Sequence, residues 1–395
     1  MLRITRHRFM SMLCLAICCV SCARVVESSG TGYVLNISDS EFALSDDIVV
    51  KTDCFGQEHY HSTALYADSL LYGTSIEHPD IIEVLNISNG ELEKRIFIAS
   101  NIVQSSSFAL SVISRDSICL SRSDPAEFII LDSVGNVNTR MSGKNTGIHY
   151  FKRHKYRNDD FILCSFLAAF RPVVSKGILY EGIDPYGLYS KDRKLNRIGA
   201  FSLNEDKWIS FFCNGKETDD IKRDYGFPYD LEQPYICLSD SAIVVSFPMS
   251  HSINVYDKNT FAFRGRYLIR TSPQTLFPKP KKMLVWDSCQ KSWDFRRATP
   301  FYGPIMYHKK SGVYSRIVYH EAELFDDEGN PTDDASREVS IITFDENFQV
   351  VNELMLPKGS VCFNGYWALK DGLLLTDKLC GRDSMVFKKL KISIK

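Results

Sequence analysis

The sequence lacks most of the signatures that assign a chain to a familiar class of enzyme or nucleic-acid-binding protein. It has no Gly-x-Ser-x-Gly elbow, no P-loop and no dinucleotide-binding fingerprint. It has no long basic or acidic block, and its formal net charge is −1. Because nucleic-acid binding normally requires a basic stripe that releases counterions, this composition argues against a nucleic-acid partner. Nothing in the sequence calls for a cofactor.

Closely spaced cysteine pairs are missing from the chain after residue 22. The eight cysteines there form no Cys-x-x-Cys pair, which excludes zinc-ribbon and thioredoxin-like sites. Several lie in apolar, strand-like runs, where a thiol behaves as a small hydrophobic group. We therefore expect mostly buried thiols, with about one disulfide among the rest if the protein is exported. The eight are Cys54, Cys119, Cys164, Cys213, Cys237, Cys289, Cys362 and Cys380.

The first feature that is present is an N-terminal leader. Three arginines and no acidic residue precede an apolar run from Phe9 to Val20. This order is typical of a secretory signal peptide, and the run is too short to span a bilayer, which needs about 20 residues. The end of the leader, Cys19-Val20-Ser21-Cys22, resembles a bacterial lipobox, although Leu is preferred where Cys19 stands. The resemblance implies that Cys22 is lipidated and becomes the new N-terminus.

The leader sets the expected domain organisation and location. We expect a signal peptide over residues 1–21, a short tether over 22–31 and a single domain over 32–395. After the leader, no apolar run is long enough for a transmembrane helix, so the lipid would be the membrane anchor. Residues 23–28 hold one acid, Glu27, whereas surface-exposed lipoproteins of such bacteria often carry an acidic stretch there. This favours an outer-membrane lipoprotein facing the periplasm over one on the cell surface.

The rest of the chain consists of short strand-like runs that recur in a pattern. A turn-forming Asp with a small neighbour opens an apolar strand at Asp68, Asp116, Asp240 and Asp371. A second element, an apolar strand that ends in Asp or Asn before a turn, follows at Asn86, Asp132, Asp257 and Asp345. Few windows hold a helical period, so we expect no helix longer than about two turns.

This recurrence predicts an all-β fold, a β-propeller. Strand, hairpin, strand, turn and strand at a period of about 45 residues is typical of a propeller blade. Units near 60–98, 108–141, 150–212, 234–270, 299–357 and 360–395 predict six blades, and insertions are expected at Phe166–Asn196 and Asp326–Asp334. The last unit is one strand short, and Gly32–Leu44 would supply that strand and lock the ring. Seven blades remain possible if Thr271–Pro300 hides a degenerate one, and two stacked β-sandwiches are the runner-up.

The C-terminal third carries a family resemblance. Its motifs are Tyr302-Gly303-Pro304-Ile305, Gly312 to Arg316, Ile341 to Phe348, and Asp371-Gly372-Leu373-Leu374. They resemble the Bacteroidetes lipoproteins with a TolB-like, propeller-like domain of unknown function (DUF4221-like). The likeness covers about residues 35–392 and is most specific from Tyr302 to Leu375; Ser315 stands where that family prefers an aromatic residue. The resemblance implies a propeller and a lipid anchor, and it implies no activity.

The predicted ligand-binding residues are Arg316, Tyr314, His320 and Tyr302. In a strand, alternation puts Tyr314, Arg316 and His320 on one face. An arginine beside aromatic rings can bind a carboxylate or sulfate through two hydrogen bonds, or stack on a sugar or peptide group. The alternative is that Arg316 connects adjacent blades through backbone carbonyl groups.

Metal binding is not expected. His59 and His61 point to the same side of a strand, but the adjacent Glu58 points to the other side, so a third ligand is missing. The acidic groups Asp219-Asp220 with Asp224, and Asp326 to Glu328 with Asp333-Asp334, do not fit a calcium loop. Solvated hairpin tips explain both.

These observations favour a binding or scaffold module of the cell envelope, for a protein, peptide or glycan ligand. No catalytic motif is recognised, so enzyme activity is not indicated, although it is not excluded. The alternative is a propeller-fold polysaccharide lyase or hydrolase, which would need titratable side chains converging at the channel mouth. A structural role in an envelope complex would instead show as an exposed apolar patch.

Overall fold

The structure is a computed structural model of the 395-residue chain. It describes residues 25–26, 42–45, 47–51, 62–75, 78–103, 108–123, 126–143, 161–163, 170–185, 196–213, 225–270, 277–279, 281–282, 289–329, 332, 337–356, 358, 365–376 and 384–392.

The first half of the chain forms three blades of antiparallel strands, preceded by three short strands. Those three are β1 (Val25–Val26), β2 (Phe42–Leu44) and β3 (Ile48–Lys51). Blade 1 contains β4 (Ser62–Tyr66), β5 (Leu70–Thr74), β6 (Ile81–Asn86) and β7 (Glu91–Phe97). Blade 2 contains β8 (Phe108–Ser114), β9 (Ser117–Ser123), β10 (Ala126–Asp132) and β11 (Val137–Ser142). Blade 3 contains β12 (Phe161–Leu163), β13 (Val173–Ser175), β14 (Ile178–Pro185), β15 (Ile198–Ser202) and β16 (Lys207–Phe212).

The second half forms three further blades. A short strand, β17 (Tyr225–Gly226), comes first. Blade 4 contains β18 (Tyr235–Leu238), β19 (Ala242–Ser246), β20 (Ser252–Asp257) and β21 (Phe263–Leu268); β22 (Lys281–Lys282) follows and pairs with β17. Blade 5 contains β23 (Phe301–His308), β24 (Val313–Tyr319), β25 (Val339–Phe344) and β26 (Val350–Leu356). Blade 6 contains β27 (Tyr366–Leu369), β28 (Gly372–Thr376) and β29 (Ser384–Ile392).

The chain is therefore a six-bladed β-propeller, as the repeat predicted. The Asp and Asn residues of the second recurring element close the turn between the third and fourth strands of their blades. They are Asn86, Asp132, Asp257 and Asp345. Asp132 Oδ1, for example, accepts hydrogen bonds of 2.9 Å from the backbone N–H groups of Val134 and Asn136. Asp257 and Asp345 accept equivalent bonds in blades 4 and 5. The repeated polar residue marks blades 1, 2, 4 and 5 because it supplies the acceptors that the turn requires.

The N-terminal strands β2 and β3 complete blade 6. Both pair antiparallel with β29, Phe42 opposite Ile392 and Ile48 opposite Phe387. The prediction that Gly32–Leu44 locks the ring is thus confirmed for the part that the structure describes, and the closing segment extends to Lys51. Val50 is fully buried in an apolar cluster that joins blade 6 to Leu71 and Leu85 of blade 1. Strands from the two ends of the chain therefore share one sheet.

The prediction about helices was wrong. Helix α1 (Ser100–Val103) and a 3₁₀ helix (Tyr229–Leu231) are short, but α2 (Cys289–Ala298) has ten residues, nearly three turns. The apolar stripe of α2 is weak. Phe295 packs on Phe227, but the other large apolar side chain of the helix, Trp293, is half-exposed. The described part of Thr271–Pro300 consists of this helix and β22, so it holds no seventh blade. None of the described helices is long and apolar enough to cross a membrane.

Apolar clusters between neighbouring blades hold the ring together. Phe128 of blade 2 packs on Phe201 of blade 3 at 4.8 Å, and Trp208 completes the group. Cys119, Cys213 and Cys237 are buried free thiols, and burial raises the pKa of Cys237 to about 12. A thiol held neutral in this way is a packing group.

Several predicted features lie outside the described residues. They are the signal peptide, Cys22, most of the 22–31 tether, the His59–His61 pair, the Asp219–Asp224 acids and Asp333-Asp334. Within the described part of the second acidic group, Asp326, Asp327 and Glu328 are exposed. Asp326 Oδ1 accepts the Glu328 N–H at 3.0 Å, which is the geometry of a solvated hairpin tip. No group of three or more potential metal ligands occurs within the described residues.

Candidate functional site

One end of the ring carries the long connections of the chain. In blades 1, 2, 4 and 5, the first two strands and the last two are joined by turns of two to five residues, as are β13 and β14, and β15 and β16, in blade 3. The connections between blades run from 9 to 32 residues and contain all the described helices. Because strands alternate in direction, these connections meet where the innermost strands begin. Long connections on a rigid scaffold are where propellers place binding sites.

A cavity of about 320 Å³ occupies the centre of the ring. Residues from the innermost strand of every blade line it, among them Leu65, Ser111, Val173, Tyr235, Met306 and Trp367. Arg171, Tyr235 and Tyr366 stand at or just before the start of their strands, so the cavity extends toward the end with the long connections. The central channel therefore contains a cavity to which all six blades contribute.

The backbone gives this cavity polar walls. The innermost strands of blades 1, 2, 4, 5 and 6 each stand at the end of their sheet and pair with one strand only in the described structure. The second edge of such a strand presents N–H and C=O groups to the channel. Hydrogen-bonding groups are thus available even where the side chains are apolar.

Blade 3 departs from this arrangement and brings a charge into the cavity. Its innermost position is divided between β12 and β13, which pair with opposite ends of β14. The chain between them leads to Arg171, and the next residue, Pro172, accepts a 2.6 Å hydrogen bond from Ser111 Oγ of blade 2. The Arg171 guanidinium lies 5.5 Å from the centre of the Trp367 ring. Burial lowers the pKa of Arg171 to about 10, so the side chain is cationic at neutral pH.

Aromatic rings surround this charge. Tyr235 is buried and stacks on Phe170 at 4.7 Å, and Tyr366 meets Tyr319 edge-on at 6.2 Å. Burial is the main reason that the pKa of Tyr235 lies well above its usual value. Among the described lining residues, Arg171 carries the one charge, and there is no Asp, Glu or His. The described lining therefore combines one cationic side chain with aromatic and aliphatic walls.

The predicted residue Arg316 lies elsewhere, between blades 5 and 4. It is fully buried, and its guanidinium stacks on the Tyr302 ring at 3.6 Å. Its two terminal nitrogens donate to four backbone carbonyls, those of Phe247, Ser250, His251 and Ile269, at 2.8–3.5 Å. Arg316 thus connects the blades, which is the alternative to ligand binding that the sequence left open.

The structure brings only some of the other predicted residues together. Tyr302 Oη lies 2.8 Å from His251 Nδ1, and Tyr314 belongs to the same apolar cluster as Tyr302. His320 follows the end of β24, where its Nε2 lies 3.0 Å from Ser340 Oγ. None of the four appears among the residues that line the central cavity. A ligand-binding role for this group stays a prediction.

Sequence reasoning missed Arg171 and Trp367. Arg171 falls within the predicted insertion Phe166–Asn196, so the interruption of the blade pattern was the available signal. The adjacent proline was a second signal, because the residue before proline is restricted to extended backbone. Trp367 carries no signal beyond its place on an innermost strand.

A buried histidine beside the cavity predicts sensitivity to acid. His308 is fully buried; its Nδ1 donates to the Leu369 carbonyl at 3.0 Å, and its Nε2 accepts from Ser315 Oγ at 2.8 Å. Burial lowers the pKa of His308 below its usual 6.5. Below pH 6.5 the unfolded chain therefore binds a proton that the folded protein excludes, and stability falls as the pH falls. The slope is at most about 1.4 kcal/mol per pH unit from this one group.

Denaturant unfolding between pH 7.5 and 5 measures that slope. We expect His308→Gln to flatten it, with part of the slope remaining because burial also lowers the pKa of His320. His78→Gln, at an exposed position, is the matched control and should keep the slope of the parent protein. An unchanged slope in His308→Gln would contradict the assignment.

Comparison with known proteins supports the fold. No protein-family model and no curated protein matches this sequence. The crystal structure of a DUF4221 family member from Bacteroides vulgatus matches with a TM-score of 0.68 and 15% identity, covering 90% of this chain and 99% of that one. The family resemblance predicted from the sequence is confirmed at the level of the fold.

Two other similar structures are more distant. A protein from Bacteroides fragilis that is named as exported has a TM-score of 0.47 and 8% identity, covering 90% of this chain and 96% of that chain. BamB from Moraxella catarrhalis has a TM-score of 0.37 and 9% identity, covering 84% of this chain and 69% of that chain.

Proposed function

We propose that this protein is a binding module of the bacterial cell envelope, whose ligand is held in the central cavity. The observation that carries the proposal is the cavity itself, which the innermost strands of all six blades line, with Arg171 as the one charged side chain among the described lining residues. In the same proposal, lipidation of Cys22 tethers the propeller to the outer membrane, on the periplasmic side.

The dimensions and walls of the cavity support binding. Its volume of about 320 Å³ lies at the lower end of the range of roughly 300–1,000 Å³ for small-molecule sites. Strands rather than loops supply most of the lining, so a ligand would meet walls that are ordered before it binds. Such preorganisation lowers the entropic cost of binding.

The same lining argues against a lyase or hydrolase. Both reactions need a general base, and hydrolysis of a glycosidic bond uses two carboxyl groups. The described lining residues include no carboxyl group, and burial raises the pKa of Tyr235, which disfavours the tyrosinate form. Binding therefore accounts for the geometry better than turnover does.

The test compares binding with turnover in residues 23–395 purified without the leader. Hydrophobic tetrapeptides and oligogalacturonides serve as probes, with calorimetry to measure binding and absorbance of the unsaturated product to measure lyase activity. We expect binding without turnover. Ala368→Phe and Ala64→Phe fill the cavity and should weaken binding at least about tenfold, which corresponds to 1.4 kcal/mol.

Ala298→Phe is the matched control, because Ala298 is exposed at the end of α2. It should leave binding unchanged. Product formation from the oligogalacturonides would favour the enzyme alternative. Binding that both cavity-filling variants leave intact would place the ligand elsewhere on the propeller.

A further inference from the structure

The N-terminal segment contacts the propeller before it reaches the closing strands β2 and β3. Strand β1 pairs in parallel with β21, the last strand of blade 4, and Val25 lies opposite Arg266. Cys22, the residue proposed to carry the lipid, precedes Val25 by three residues. Three residues of chain span at most about 11 Å. A lipid on Cys22 would therefore lie close to the outer edge of blade 4.

The direction of β1 determines which end of the ring the lipid approaches. The end opposite the long connections carries the turns between the first and second strands and between the third and fourth strands, and we call it the short-turn end. Strand β21 leaves the turn at Asp257 on this end and finishes at Leu268, where the connection to blade 5 begins. Because β1 runs in the same direction, the chain enters it from the side of the short-turn end. The lipid would thus lie beside blade 4, toward that end.

The pairing of β1 matters because it shortens the tether. From Cys22 to Phe42, the first residue of β2, the chain runs for about 20 residues and can extend to about 70 Å. That length exceeds the diameter of roughly 50 Å expected for a domain of this size. A tether that is free over the whole length would let any side of the propeller approach the bilayer, whereas a tether fixed at β1 allows one side only.

Surface charge gives no comparable preference. Among the described residues at the short-turn end beside blade 4, charges of both signs are paired. Lys309 Nζ lies 3.3 Å from Asp240 Oδ1, and Arg264 forms an ion pair with Asp257. Such a surface attracts anionic headgroups less than a cluster of unpaired basic residues does. The tether is therefore the main constraint on orientation.

We infer that blade 4 is the side of the propeller nearest the membrane, with its short-turn end directed toward the bilayer. This inference rests on the proposed lipidation of Cys22 and specifies how the tethered protein is oriented. Blade 1, three blades away around the ring, is then farthest from the bilayer. The end with the long connections, toward which the central cavity extends, opens away from the membrane, where a dissolved ligand can enter.

The test measures which part of the propeller lies at the bilayer surface. The full chain is expressed with its leader in a bacterial host, purified from membranes and reconstituted into phosphatidylcholine vesicles with nitroxide-labelled headgroups, which quench nearby dyes. A dye is attached through an azide-bearing amino acid at one exposed position: Asn259 in the turn of blade 4, Ser88 in the equivalent turn of blade 1, or Lys291 in α2. Because the tether reaches only about 11 Å, we expect the dye at Asn259 to lose at least about half of its emission. The dyes at Ser88 and Lys291 should keep most of theirs.

Two insertions connect this pattern to β1. A flexible linker of about 20 Gly and Ser residues inserted after Arg24 lengthens the chain between the lipid and β1, and should make quenching similar at the three positions. The same linker inserted after Gly30 lies beyond β1 and is the matched control, which should keep the parent pattern. The pattern should also persist from about 0.1 M to 1 M salt, which shortens the screening length from about 10 Å to about 3 Å. A pattern lost at high salt would assign the orientation to surface charge and overturn the role of the tether.

The outcomes separate this inference from the proposed lipidation. Strongest quenching at Ser88 or Lys291, or equal quenching at all three positions of the parent, would overturn the orientation and leave the lipid anchor in place. A preference for Asn259 that persists with the linker after Arg24 would overturn the role of β1. Mass spectrometry of the purified chain reports whether Cys22 carries acyl chains, and a chain without them would overturn both the anchor and the orientation.

Discussion

Replacing Arg316 by methionine is expected to lower the free energy of unfolding by about 3 kcal/mol or more. The guanidinium donates four hydrogen bonds to backbone carbonyls that lie outside the strands of blade 4, in the loop between β19 and β20 and just after β21. Hydrogen bonds to a charged group each contribute roughly 1.5–3 kcal/mol. Methionine fills similar space but removes these four donors; the Phe247 and His251 carbonyls still accept the backbone N–H groups of Ser250 and Ile269, so the cost falls mainly on the Ser250 and Ile269 carbonyls. The loss is partly offset, because burial of the arginine is itself costly and lowers its pKa to about 10.

Urea unfolding of the parent and the variant measures the difference. Arg316→Lys keeps a charge but offers no planar fork, so we expect an intermediate loss. Arg140→Met, at an exposed position, should change stability by less than about 0.5 kcal/mol. A loss in Arg316→Met as small as in this control would show that the four bonds contribute little.

Opening the ring is expected to have a still larger effect. A chain that begins at residue 52 lacks β2 and β3, which leaves one edge of β29 unpaired and uncovers the cluster around Val50. We expect a loss of about 5 kcal/mol, from buried apolar area and strand hydrogen bonds together. Typical domains are stable by only about 5–15 kcal/mol, so this variant should unfold at a much lower temperature.

A chain that begins at residue 41 is the control, since it keeps both closing strands. It lacks β1, whose two residues pair with Arg266 and Tyr267 on the edge of blade 4. We expect its melting temperature to lie close to that of the chain beginning at residue 23. Equal stability of the chains beginning at 41 and 52 would contradict the role of β2 and β3 in closing the ring.

The fold could be predicted from the sequence because most blades repeat the same turn between their third and fourth strands. Asp132, Asp257 and Asp345 occupy equivalent turns in blades 2, 4 and 5, and each supplies the acceptor oxygen that the turn needs. Helix α2 was not predictable by the same reasoning, because it has no strong apolar stripe and packs through single contacts such as Phe295 on Phe227.

The site was harder to predict because strand periodicity does not distinguish an arginine that contacts a ligand from one that connects neighbouring blades. Arg316 lies in a regular strand with aromatic neighbours, and that pattern is equally compatible with a ligand site and with a contact between blades. Arg171 lies where blade 3 loses its regular pattern, so alternation says nothing about where its side chain points. What places Arg171 in the channel is the arrangement of six blades in space, which no local pattern encodes.

The shared sheet of blade 6 also constrains the order of events during folding. Strands β2 and β3 precede every blade in the sequence, whereas their partner β29 follows the other strands of all six blades. Blades 1 to 5 can pack on one another before these distant strands meet, but the ring stays open until β29 pairs with β2 and β3. Until then the inner faces of blades 1 and 6 lack their neighbours, and such transiently exposed apolar surface is where chaperones bind and where aggregation begins.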